Sequence, residues 1–566
     1  MTDMTAENTM ILITVAAIVI LAGLLIWRDK RRQRKWFLAK IHRLWGSVAD
    51  REYTWEELES ISHYAKHHQG DRFMVDDITW NDLGMDQIFM LLNTTVSSCG
   101  EDFLYRMLRF PQTDAAVLEE RERLTEYFRT HQQERIRVQT EAGKVRKIGN
   151  ISITDYIHVL KDVPRRPVVK YVFLACLTLA CIVGLFFNPL QAMFFLLLVM
   201  CFNGYVHMHD SKDVEPYLNC FGCILRLLKA ADGFASIHDP QIQSHLDRIR
   251  TAREKMKGFR RGAFLVSSSS ALQDGLEAFV LSYLKVMFHV DMIKFYSMLR
   301  FVEGHEEDVE DLFAAMGELD ALIAVASFRE YLPYYAVPRL TARQGEAHVF
   351  LEAEELYHPL ITDPVANSIR MERGILVTGS NASGKSTFLK TVAIQALLAQ
   401  TIHTCPARSF QGNFMKVMTS MALRDNLESG ESYYMVEIKS LQRILQECKK
   451  PEPVLCIVDE VLRGTNTIER IAASSRILRS LSAPNVLPLA ATHDIELSYI
   501  LEDCYENYHF EEEIRDNDVI FNYQLKKGRA TTRNAIRLLE LIGYDPEIVR
   551  EAREAARKFE ETGIWS

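Results

Sequence analysis

Three kinds of apolar run divide this chain. Thr9 to Trp27 is nineteen residues without a charge, long enough to cross the hydrocarbon core of a bilayer as a helix. A second region runs from Tyr171 to Phe187 and, across Asn188-Pro189, from Leu190 to Val206. Each half is near the lower limit of about 17 residues for a span, and Asn-Pro is a turn signal, so residues 171–206 read as a helical hairpin. A buried pair of soluble core helices is the competing reading. The third kind is short: Ile375-Leu376-Val377, Val454 to Val458 and Val486 to Ala491 have the length and composition of buried strands. Phe388 to Ala393 continues as an apolar helix. From about 208 to 335 the pattern is helical, with heptad-like apolar spacing over Leu272 to Leu299 and an acidic stretch from Glu303 to Asp311. Tyr331 to Pro338, rich in aromatics and prolines, reads as a hinge. Gly528 to Ile542, then Gly543-Tyr544-Asp545-Pro546 and an amphipathic helix, close the chain.

Charge decides how the apolar runs are used. Acidic and polar residues precede Thr9, whereas Arg28-Asp29-Lys30-Arg31-Arg32-Gln33-Arg34-Lys35 comes directly after Trp27. A cleaved signal peptide carries its charges on the other side. The positive-inside rule then puts the chain beyond Trp27 in the cytoplasm, and a hairpin returns the chain to the side it left. The expectation is a multi-pass cell-membrane protein with three transmembrane helices. The chain has 566 residues, 48% hydrophobic, and a net charge of −9, so no global basic field attracts nucleic acid and any such contact needs a local patch. Arg248, Arg250, Arg253, Lys255, Lys257, Arg260 and Arg261 form the best one, with a solvated face or one meeting anionic lipid as alternatives. The ten cysteines show no disulfide framework, and Cys220-Phe221-Gly222-Cys223, without a second pair, gives no expectation of zinc.

The chemistry concentrates in the last third. Gly379-Ser380-Asn381-Ala382-Ser383-Gly384-Lys385-Ser386-Thr387 fits the phosphate-cradling pattern G-x-x-x-x-G-K-[ST] and lies between a strand run and an apolar helix. The glycines let the backbone curl with its N–H groups inward, Lys385 reaches the β- and γ-phosphates, and Ser386 offers a hydroxyl to Mg²⁺. Asp459 and Glu460 come at the end of the second strand run. Adjacent carboxylates at a strand end divide labour, Asp459 in the Mg²⁺ shell and Glu460 polarising the attacking water. The third run ends in Thr492-His493-Asp494, which gives His493 a place as a γ-phosphate contact or water orienter.

Between the first two elements lies DNLESGESYYMVE, Asp425 to Glu437; DEVLRGTNT runs from Asp459 to Thr467 and ATHDIEL from Ala491 to Leu497. In this order the set resembles the ATPase domain of the MutS family, with its D-L-x-S-G-x-S-x-x-M-x-E, D-E-x-x-R-G-T and A-T-H motifs. The resemblance implies an α/β P-loop, ABC-like ATPase domain that uses ATP and Mg²⁺ as a homodimer, Ser432 contacting the γ-phosphate bound in the opposite subunit. It implies that Asn381 supports the phosphates. It further implies that Tyr357-His358-Pro359-Leu360 and Asp363 to Asn367 lie beside the adenine, with Val365 near where the family often offers an aromatic. The tail resembles the family's dimerisation helices. Upstream, Trp80 to Asp86, Ser97 to Leu104, Leu108-Arg109-Phe110-Pro111 and Asp114 keep the order in which the family's core domain opens.

These readings divide the chain into an anchor with basic flank (1–35), a helical linker (36–77), an all-α core and lever domain (78–335) containing the hairpin, and the ATPase (336–566). Nothing before Trp80 resembles the family's mismatch-reading domain. Two functions are compatible with them: a membrane-anchored, clamp-like DNA-binding ATPase related to mismatch repair or recombination, or a membrane-tethered mechanochemical ATPase acting on a protein or lipid partner.

Overall fold

The computed structural model describes residues 24, 27–49, 51–147, 155, 163, 166–261, 283–345, 347–380, 383–421, 433–462, 465–515, 518–530 and 535–562. The described residues before the first strand form helices: α1 (Trp55–His67), α2 (Asp77–Leu83), α3 (Met85–Leu92), α4 (Ser98–Arg109), α5 (Ala115–Thr130), α6 (Gln132–Ala142), α7 (Val168–Gly184), α8 (Pro189–Ala235), α9 (Gln243–Lys255), α10 (Val290–Val302) and α11 (Glu306–Tyr331). Helix α1 opens on a capping box. Thr54 Oγ1 accepts the Glu57 N–H at 3.3 Å, and the Glu57 carboxylate accepts the Thr54 N–H at 3.1 Å, satisfying two donors that a first turn leaves without partners.

Helix α11 is the spine of this part, buried from Leu319 to Arg329 and packed on α4, α5 and α9. Gly317 permits the close approach of α4, since a Cβ there would stand 2.5 Å from the Cys99 carbonyl oxygen. Three residues on, buried Asp320 accepts the N–H groups of Val96 and Ser97 at 3.1 and 3.0 Å, fastening the start of α4. Part of the stretch 272–299 lies outside the described residues. From residue 283 it is helical, breaks at His289 in the left-handed region (φ 49°) and resumes as α10.

The hairpin forms where expected, with Pro189 at the first position of α8, where its missing N–H costs nothing. Its side chains point outward: Phe186 and Phe187 are 88% and 85% exposed. Of the three expected spans, the described residues carry one. The Thr9–Trp27 run lies outside the described residues except for Leu24 and Trp27. Among the described residues, only Pro189–Lys212 makes a helix both long and apolar enough to cross a membrane. Helix α7, at 17 residues, ends at Gly184 because the turn to Asn188-Pro189 begins there, and it falls short on length. A multi-pass arrangement is therefore not supported.

Past the hinge the chain becomes mixed α/β. Strands β1 (Arg339–Thr341), β2 (Leu351–Leu356), β3 (Asn367–Met371), β4 (Gly374–Thr378), β5 (Ser409–Asn413), β6 (Lys416–Ser420), β7 (Val454–Asp459), β8 (Val486–Thr492), β9 (Tyr505–His509), β10 (Glu512–Arg515), β11 (Asp518–Phe521) and β12 (Lys526–Lys527) alternate with α12 (Lys385–Thr401), α13 (Tyr433–Glu447), α14 (Thr467–Ser480), α15 (Ile495–Ile500), α16 (Ala535–Ile542) and α17 (Pro546–Thr562). A six-stranded sheet runs β12-β9-β4-β8-β7-β6, parallel from β9 to β6, and a smaller sheet runs β1-β5-β2-β3. Strand β4 is buried throughout. Ile375 and Val377 join one apolar cluster and Leu376 the other, as the strand period of two requires for a sheet covered on both faces. The first cluster continues through Phe388 and Leu397 of α12 into Phe103 and Trp80, so the helical part and the sheet share one core.

Candidate functional site

Strand order makes the site. Strand β8 lies between β4 and β7, with Thr378 opposite Thr492 and Asp459 opposite Ala491. The carboxyl ends of three neighbouring parallel strands therefore deliver Gly379, Asp459-Glu460 and His493 to one edge, the place where open α/β sheets bind ligands.

The turn after β4 leads directly into α12. Gly379 has φ 149°, and a Cβ there would come 2.7 Å from the Phe510 carbonyl oxygen. Gly384, at φ 100°, starts the helix, and its Cβ would stand 3.1 Å from Tyr523. Lys385 is 5% exposed and donates to the carbonyl oxygens of Gly379 and Ser380 at 2.9 and 2.7 Å. The Ser380 hydroxyl donates to Glu512 at 2.8 Å.

On the facing side, Glu460 Oε1 lies 2.7 Å from His493 Nε2. That same nitrogen is 3.5 Å from Lys385 Nζ. An ammonium only donates, so the two contacts call for different tautomers; with the proton on Nε2 the ring donates to the Glu460 carboxylate, the shorter contact. His493 thus separates the base from the lysine. Glu460 has φ 58° and Leu462 φ 60°, both left-handed at some cost for residues bearing a Cβ. The Glu460 N–H is fixed by the Ala491 carbonyl at 2.9 Å.

A cavity of about 560 Å³ opens over this edge, lined by Ser383, Lys385, Ser386, Thr387, Glu460 and His493 on one side and by His358, Val365, Phe510 and Tyr523 on another. That size suits a nucleotide. Burial pushes His358 down to about 4, with Lys390 adding to the shift, so the ring is neutral at pH 7.

Residues 375–560 match the family described as MutS domain V. This stretch is therefore similar to the fifth domain of MutS proteins. Domain V carries the ATPase of MutS proteins, which work as dimers and bind DNA.

Against the sequence expectations for a MutS ATPase, the structure brings Gly379, Ser380, Ser383, Gly384, Lys385, Ser386, Thr387, His358, Glu460 and His493 together. Asp459 ends β7 beside them, half-buried, while Ser386 is exposed to the cavity. Asn381, Ala382 and Ser432 lie outside the described residues. The loop fits a phosphate: the Ser383 hydroxyl is buried without a hydrogen-bond partner, and the two glycine positions leave room that a Cβ would fill.

Sequence reasoning missed Tyr523, Phe510 and Arg470. Tyr523 lines the cavity and its carbonyl accepts from the Asn367 amide at 3.0 Å, so the P-x-x-N segment fixes an aromatic 156 residues away in sequence. Arg470 makes a two-pronged pair with Asp494 at 2.8 and 2.6 Å, bracing the residue after His493.

Most cations of the basic stretch 248–261 are paired with carboxylates at the surface. Arg248 pairs with Asp311 at 2.9 Å, Arg253 with Asp232 at 2.7 Å, Lys255 with Asp308 at 2.7 Å and Arg260 with Asp232 at 2.5 Å. Arg250 pairs with Asp247 at 3.1 Å, and Lys257 with Glu254. Acids on α8, α9 and α11 meet most of these cations.

Proposed function

We propose that this chain is a MutS-type P-loop ATPase whose dimer closes on ATP and Mg²⁺ and whose helical part turns that closure into clamp-like binding of DNA. The observation that carries the reading is the arrangement of Lys385, His493 and Glu460 around one cavity. Bound ATP draws the Lys385 ammonium from the loop carbonyls to the β- and γ-phosphates. Ser386 and Asp459 would hold Mg²⁺, which would supply neutralising charge to the phosphates. Glu460 takes a proton from the attacking water, and His493 orients Glu460 and faces the γ-phosphate. Ser432 is supplied across the dimer. Exposed Ile542, Tyr544, Ile548 and Phe559 in the C-terminal segment support a dimer contact there, since exposed apolar groups favour association. The outward-facing apolar side chains of α7 and the first half of α8 support a membrane tether.

One observation favours a second reading, a membrane-tethered ATPase acting on a protein or lipid partner: the lever cations proposed for DNA are engaged by carboxylates. The test is ATP turnover by the detergent-purified protein with duplex and branched DNA across a salt series. Phosphate-driven binding weakens steeply as salt rises. Salt-sensitive stimulation supports the DNA clamp, whereas turnover indifferent to DNA at every salt concentration supports the second reading.

A further inference from the structure

A second cavity, of about 740 Å³, lies between α1, α4, α5, α9 and α11. Its walls differ in kind. One bears Arg106, whose guanidinium carbon stands 5.6, 5.7 and 5.9 Å from the ring centres of Phe103, Tyr64 and Phe110. Its Nε is buried without a hydrogen-bond partner. Beside it is Arg121, 7% exposed, whose Nε is likewise buried without a partner. Stacking on aromatic faces holds a guanidinium in place but leaves its in-plane N–H donors to be satisfied. Of the acids that line the cavity, Glu310 pairs with His68, Asp311 with Arg248 at 2.9 Å and Glu318 with His245 at 3.2 Å, Asp114 caps α5, and Glu307 completes the set. The buried side-chain donors without a partner here are the two guanidinium Nε groups.

The same wall touches the ATPase. Arg121 donates to the carbonyl of Thr401, and the Gln112 N–H to that of Gln400 at 2.8 Å. Both carbonyls end α12, the helix that Lys385 begins.

We propose that this cavity binds a small anion bearing phosphate or carboxylate groups, held by Arg106 and Arg121 and felt at the phosphate loop through α12. Planar guanidinium groups suit both heads, and an anion that draws Arg121 from Thr401 alters the last turn of that helix. By linkage, nucleotide and anion then change each other's affinity by the same factor. That coupling rests on the ATPase reading; the site itself does not.

Calorimetry on the full-length Lys385→Ala protein in detergent separates the two, since the phosphate loop has lost its lysine and no turnover is read. The probes are inorganic pyrophosphate and citrate. Saturable binding of pyrophosphate alone marks a phosphate site, and of citrate alone a carboxylate site. Arg106→Met, and Val117→Trp at the rim, which changes no charge, are each expected to weaken it tenfold or more. Binding unchanged by both variants, or no binding of either probe to a protein that melts like its parent, overturns the proposal.

Discussion

The carboxylate of Glu437 accepts the main-chain N–H of Leu462. The first is a buried residue of α13, and the second stands two residues beyond Glu460. Two left-handed residues in three cost about 1–2 kcal/mol each, so the loop keeps its shape only while something outside it holds it. Glu437 does so from the helix that comes after the segment containing Ser432. Glu437→Gln, which retains an acceptor but no charge, is expected to lower kcat roughly ten- to hundredfold with little change in the KM for ATP. Steady-state kinetics check this. A matched rise in KM with kcat intact would show instead that Glu437 serves nucleotide binding.

Glu460→Gln is expected to slow hydrolysis by about 10²–10⁴, the usual contribution of a general base, while nucleotide binding persists. His493→Ala should fall short of that, because His493 orients the base without replacing it. Single-turnover assays beside equilibrium nucleotide binding separate the two effects. Full hydrolysis by the Glu460→Gln protein would remove that residue from the chemistry.

His358 sets a pH dependence whose sign is fixed by burial. Its folded pKa of about 4 lies below the ordinary value of 6.5, so between those limits the unfolded chain binds the extra proton. Stability therefore falls as pH drops from 6.5 toward 4 and is unaffected by this group above 6.5. His358→Gln should flatten part of that slope in thermal melts between pH 7 and pH 5. The effect is at most a few kcal/mol for a half-buried ring.

Much of the site was legible because its motifs are local. Gly379 to Thr387 names a loop, and the runs ending at Asp459 and Ala491 name the strands that present Glu460 and His493. Tyr523 was not legible, since only the Asn367 hydrogen bond brings it over the cavity, and no spacing encodes a partner so distant. For the same reason the cations of 248–261 did not reveal their partners. Their periodicity announces a charged helix face, but Asp308 and Asp311 of α11, which engage Lys255 and Arg248, are settled by packing. The hairpin turn was legible from Asn188-Pro189, whereas the length of α7 depended on where that turn began to unwind the helix.

The seam between helical part and sheet gives a last prediction. Strand β6 is an edge of the large sheet, and unpaired edges invite association unless covered. Helix α2 covers it. Asp82 Oδ2 accepts the Thr419 hydroxyl at 2.6 Å and the Met421 N–H at 3.0 Å, and Thr79 Oγ1 accepts the Thr419 N–H at 3.2 Å. Arg443 of α13 closes the seam, donating to the Thr419 carbonyl at 2.5 Å and pairing with Asp76, the cap of α2. Burial raises the Asp82 carboxyl above its ordinary value against these hydrogen bonds, so its charged form is strained as well as useful. Asp82→Asn retains an oxygen acceptor and removes that charge, and should melt within a few degrees of the parent. Asp82→Ala leaves a hydroxyl and an N–H buried without partners, at about 1–3 kcal/mol for each group so stranded. Because the chain runs on from Met421 toward Ser432, the alanine variant should lose turnover as well as stability. Calorimetric melting beside ATPase assays below the melting temperature distinguishes this from simple unfolding. A destabilised variant with full turnover would mean that the seam holds the fold without informing the site.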